Sequence, residues 1–120
     1  MAASGLSENV DNDGAVKIMK YAKEILLIID EFNKTSPVKL QIRIGINTGP
    51  VVAGVIGKTK FIFDIWGDTV NVASRMESTG RPHQIHVSEQ TYLELKKNFI
   101  FKENLDIDVK GKGLMHTYFI

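Results

Sequence analysis

The chain has 120 residues, 43% apolar and 24% charged, with a formal net charge of +1, the balance of one ordinary globular domain. That even charge removes any bulk attraction to nucleic acid or to an anionic membrane surface. There is no cysteine, which excludes disulfides, thiolate zinc sites and a cysteine nucleophile, and suits a reducing compartment.

Residues 1–14 are small and polar and read as a loop, with Asp13 as a helix cap. Over residues 15–33, Ile18, Ala22, Ile25, Leu26, Ile29 and Phe32 recur at three- and four-residue spacing, which predicts an amphipathic helix. Its longest apolar run, Ile25 to Ile29, is far too short to cross a bilayer. The N-terminus also lacks the basic-then-apolar pattern of a leader. A soluble, cytoplasmic segment is expected, compatible with a longer, membrane-anchored protein.

Leu40, Ile42, Ile44 and Ile46 alternate with Gln41, Arg43 and Gly45, the pattern of a half-buried strand over residues 40–47. Residues 48–50 read as a turn, 51–56 as a second strand, 57–60 as a connection and 61–63 as a further extended piece. A helix is predicted over 69–78, capped by Asp68 and stopped by Gly80. A strand over 84–87 precedes a helix from 88 to about 97. Strands over 105–109 and 115–120 form a hairpin through Lys110-Gly111-Lys112-Gly113. Strands alternating with helices give an α/β or α+β domain around one mixed sheet, with residues 1–120 as one domain.

Most of the chemical information sits in residues 63–80, F-D-I-W-G-D-T-V-N-V-A-S-R-M-E-S-T-G. Asp64 precedes a turn at Gly67, and the helix beyond it carries Asn71 and Arg75 at i, i+4. That spacing puts an amide and a guanidinium on one helix face. Together they can orient a phosphate group and stabilise charge developing on it. Taken singly, each residue has a simpler role: Asp64 can cap a turn, Arg75 can sit solvated, and Lys110 and Lys112 can be turn residues. Trp66 reads as a packing residue. Gly45, Gly49, Gly54 and Gly57 match neither glycine-rich phosphate loop. His83, His86 and His116 lie on different elements with no metal-ligand spacing.

Three blocks, L-x-I-R-I-G-I-N-T-G-P-V-V-A-G-V-I-G from Leu40, the run from Phe63, and V-K-G-K-G with T-Y-F from Val109, resemble the class III nucleotide cyclase catalytic domain in order and spacing. The resemblance covers nearly the whole chain. It implies a ferredoxin-like mixed sheet with flanking helices, working as a homodimer or heterodimer with sites shared between subunits. The implied activity is that of a phosphorus-oxygen lyase making a 3′,5′-cyclic nucleotide and pyrophosphate for intracellular signalling. Asn71 and Arg75 match the catalytic ribose-orienting amide and transition-state guanidinium. Asp64 and Ile65 match the base-reading positions, and Lys110 a lysine that reaches the triphosphate. Lys60 is a secondary phosphate contact, since Thr59 stands at the neighbouring position that is basic in relatives.

An aspartate at position 64 favours ATP as substrate and an adenylyl cyclase. A guanylyl cyclase and a non-catalytic, regulatory cyclase-homology module remain open. The family's first strand, first helix, hairpin and two metal-binding aspartates have no counterpart in the sequence. The implied Mg²⁺ or Mn²⁺ therefore belongs to the intact domain, and no metal ligand is assigned here. Inactivity of the chain alone is expected, as is self-association through the dimer face or the exposed sheet surface.

Overall fold

The computed structural model describes residues 1–4, 14–50, 52–56, 62–109 and 111–120. In chain order the elements are α1 (Gly14–Thr35), β1 (Ile44–Ile46), β2 (Val52–Ile56), β3 (Ile62–Trp66), α2 (Asp68–Ser78), β4 (Ile85–Ser88), α3 (Glu89–Leu95), β5 (Glu103–Val109) and β6 (Gly113–Phe119). A four-stranded mixed sheet runs β1-β4-β6-β5, with β1 parallel to β4 and the other pairs antiparallel. The one sheet expected from the sequence is divided, because β2 and β3 form an antiparallel ribbon of their own from Val52↔Trp66 to Ile56↔Ile62. These two segments are near neighbours in the chain, so pairing with each other needs little loop closure.

Period-two alternation sets the layers. Ile46, Ile85 and Val87 join Met19 and Ala22 of α1 and Leu95 of α3 in one buried cluster. Val72 and Met76 of α2 meet Val109, Ile107 and Met115 in another. α1 and α3 therefore cover one face of the sheet and α2 the other. All four residues of β4 are buried, as expected of a strand covered on both faces.

Gly45, His86 and Phe119 lie side by side across three strands. The His86 and Phe119 rings stack with centroids 4.2 Å apart. On the opposite face Tyr118 of β6 stacks on Tyr92 of α3 at 3.7 Å. Each offset or stacked aromatic pair of this kind adds to the sheet's burial through ring–ring contact.

Several boundaries differ from expectation for physical reasons. α1 continues to Thr35, with Ser36 N–H donating to the Phe32 carbonyl at 3.1 Å. β1 begins only at Ile44, opposite the first residue of β4 at Ile85, and further back the side-chain amide of Asn33 occupies the backbone of Leu40. It accepts from Leu40 N–H and donates to the Leu40 carbonyl, both at 2.8 Å. The extended piece expected over 61–63 runs as strand through Asp64 and Trp66, drawn out by its pairing with β2. Asp13 and the connection containing Lys60 lie outside the described residues.

α1 is apolar over more of its circumference than it buries. Tyr21, Leu27, Ile28 and Phe32 are exposed, and Tyr21 and Ile25 line a groove of about 620 Å³ with Ile44, Ile46, Val70 and Ala73. No described helix is long and apolar enough to cross a membrane.

Candidate functional site

α2 is anchored at both ends by contacts that leave its outer face free. At its start, the Asn47 side chain donates to the Thr69 carbonyl at 3.0 Å, and the Thr69 hydroxyl donates to the Pro50 carbonyl at 2.5 Å. Asn47 is itself held by the hydroxyl of Ser88, which also caps α3. Near its end, Arg43 pairs with Glu77 at 2.9 Å. The terminal turn closes with Thr79 N–H and hydroxyl both on the Arg75 carbonyl, at 2.9 and 2.6 Å.

His86 braces the helix from below. Its Nδ1 lies 2.9 Å from the Met76 carbonyl and its Nε2 2.7 Å from the Thr117 hydroxyl. A carbonyl only accepts, so Nδ1 donates to Met76, while the Thr117 hydroxyl gives its own proton to the Leu105 carbonyl and presents its oxygen to Nε2. Burial pushes the His86 pKa down, and the Arg81 charge pushes the same way against the opposing Met76 carbonyl. This histidine is a structural brace, consistent with its lack of metal-ligand spacing.

On the free face, Asn71 and Arg75 are both exposed. They line one cavity of about 350 Å³ with Asp68, Val72, Ser74, Val109 and Lys112. The two residues that the i, i+4 spacing picked out are thus brought together over the β5–β6 hairpin. Arg75 has no ion-pair partner among the described residues, which leaves its fork of donors open to a ligand.

Asp68 departs from expectation. The cap of α2 is Gly67, at φ 127°, with no side-chain cap bond. Asp68 is the first helical residue, and its carboxylate meets Lys112 Nζ at 2.5 Å. The sequence pointed to neither residue as part of the site. Their pairing bridges the start of α2 and the hairpin turn, and no local pattern announces such a contact.

Asp64 and Ile65 lie on β3, opposite Gly54 and Ala53, on the strand that leads through Gly67 into α2. Only their backbone is described. Lys60 and Lys110 lie outside the described residues. Among the described residues no cluster of three or more His, Asp or Glu side chains could hold a metal ion. The carboxylate lining the cavity, Asp68, is already engaged by Lys112. The described donor set does not fit a divalent ion.

An α+β domain that sets an amide and a guanidinium, without an ion-pair partner among the described residues, around one cavity is suited to handling a phosphorylated ligand. The chain belongs to the adenylate and guanylate cyclase catalytic domain family, whose model matches residues 1–120. Adenylate cyclase type 9 of Xenopus laevis is 44% identical over 126 residues, a match covering 98% of this chain and 10% of that sequence.

The guanylate cyclase domain of RhGC from Catenaria anguillulae, solved in complex with GTP, superposes with a TM-score of 0.87 at 41% identity. The match covers 97% of this chain and 63% of that one. The non-canonical dimeric guanylyl cyclase domain of the RhoGC fusion protein from Blastocladiella emersonii gives a TM-score of 0.78 at 38% identity, over 98% of this chain and 63% of that one. The chain therefore spans less than two thirds of these relatives, and the mixed sheet with flanking helices is the class III cyclase fold.

Proposed function

We propose that the chain forms the base- and phosphate-handling half of a nucleotide cyclase site, with ATP as the favoured substrate. The observation that carries this is the joint placement of Asn71 and Arg75 on the free face of α2, around one cavity. The 3′-hydroxyl oxygen attacks the α-phosphorus. The new 3′-O–P bond forms as the bond from that phosphorus to its bridging oxygen breaks. Pyrophosphate leaves with the electron pair, and the hydroxyl proton passes to solvent.

Such an in-line displacement depends on positioning and charge stabilisation. Asn71 orients the ribose, the Arg75 fork takes up charge on the phosphate, and Asp64 and Ile65 read the base. Lys110 and Lys60 complete the phosphate contacts. The carboxylates for Mg²⁺ or Mn²⁺ come, on this reading, from residues other than those described here. Pairing with a second cyclase domain in a cytoplasmic setting completes the proposal.

The similarity to a GTP-bound guanylate cyclase domain supports a second reading, in which GTP replaces ATP. The test mixes the protein with a cyclase domain that brings metal-binding carboxylates, supplying ATP or GTP with Mn²⁺ in parallel. Cyclic nucleotide should form on mixing, and the recovered activity should disappear with Arg75→Ala. Turnover by this chain alone would overturn the half-site proposal. Absence of recovery on mixing would favour the non-catalytic module.

A further inference from the structure

Lys112 sits in a hairpin turn where solvent would be its ordinary partner. Instead it lines the cavity with Asn71 and Arg75 and meets the Asp68 carboxylate at 2.5 Å. We infer that Lys112 is a second anion-binding cation of this cavity, held ready by Asp68 and handed over to a phosphate group when a polyphosphate enters. The inference rests on the phosphate-handling reading of the site.

Three features of the structure carry it. The Lys112 and Asp68 side chains are 41% and 65% exposed, and an ion pair this open is held only weakly. A phosphate offers more charge and more acceptor oxygens than one carboxylate, so the exchange runs towards the ligand. Asp68, once released, stands in the first turn of α2, where the helix dipole favours a negative charge.

Gly111 and Gly113 flank Lys112 with φ of 81° and 77°, and a Cβ at either would meet nothing within 4 Å, so this part of the turn stands open. Until a ligand arrives, the pair serves a second purpose. A bare carboxylate at the cavity would repel an approaching anion, and Lys112 cancels that repulsion.

Sodium tripolyphosphate is the probe, with affinity read by calorimetry on the whole chain. Lys112→Met should weaken binding about tenfold, the usual worth of one charge-assisted bond, and Lys112→Arg should restore most of it. Asp68→Asn should tighten binding, because Lys112 is then already free to meet the phosphate. Both positions are exposed, and circular dichroism confirms that the variants stay folded.

Equal affinity in Lys112→Met and the original chain would overturn the inference, as would unchanged affinity in Asp68→Asn. If Arg75→Ala abolishes binding while Lys112→Met does not, the inference fails and the phosphate-handling site stands. If neither substitution matters, both fail.

Discussion

A methyl group on Gly45 would stand 2.1 Å from the Glu77 amide nitrogen and 2.5 Å from the Met76 carbonyl carbon. α2 thus rests its backbone directly on β1, and glycine is the residue that allows it. Gly45→Ala forces the helix off the sheet. Urea denaturation should show a loss of at least about 1–3 kcal/mol, the usual cost of overpacking. An unchanged midpoint would mean that α2 does not sit this close.

Arg75→Ala tests the opposite face of the same helix. The side chain is exposed, so stability should change little. The rate of a complemented enzyme should fall roughly a hundred- to thousandfold, about 3–4 kcal/mol, as for other lost charge donors. Initial rates of cyclic nucleotide formation, alongside a melting curve, separate the two effects.

His86 links stability to pH. Its folded pKa is lowered, chiefly by burial, so its stabilising contribution is complete above the unfolded value of about 6.5. That contribution is lost as pH falls through the lower, folded value. Denaturation midpoints should therefore drop on acidification below about pH 6.5. His86→Phe should flatten this slope while lowering stability by about 1–3 kcal/mol, through the Met76 carbonyl left without its side-chain partner.

His116 behaves in the reverse sense. It stands opposite Asp106 on the β5–β6 hairpin, with Nδ1 2.6 Å from the carboxylate. The hydrogen bond to Asp106 raises its pKa, and the Asp106 charge adds to this. Its contribution is present below the unfolded value of about 6.5 and lost as pH rises through the higher folded one. In an NMR titration, Asp106→Asn should bring the His116 midpoint down towards that ordinary value. A midpoint indifferent to the substitution would remove the hydrogen bond from the account.

Local features were legible in the sequence where they depend on local pattern. The spacing of Ile18, Ala22 and Leu26 predicts α1, and Asn71 and Arg75 share a face because helix geometry alone requires it. The Gly111 and Gly113 turn follows from residues that tolerate positive φ. Tertiary contacts were not legible in this way. Nothing near Leu40 says that Asn33 occupies its backbone, and nothing near Asp68 says that a hairpin lysine replaces its capping role. The split of the β2–β3 ribbon from the main sheet is likewise a matter of which edges meet in space.

The two ends of the four-stranded sheet differ in kind. At one end β5 presents Glu103, Asn104, Asp106 and Asp108, all exposed, and such a charged margin discourages a further strand. At the other end Ile44, Gly45 and Ile46 of β1 pair among the described residues only with β4. The two margins therefore differ in what they offer a further strand, charge at β5 and apolar residues with a glycine at β1. A strand added at β1 would lie next to the strand on which α2 rests, so the β1 margin, unlike the β5 margin, is coupled through Gly45 to the helix that carries Asn71 and Arg75.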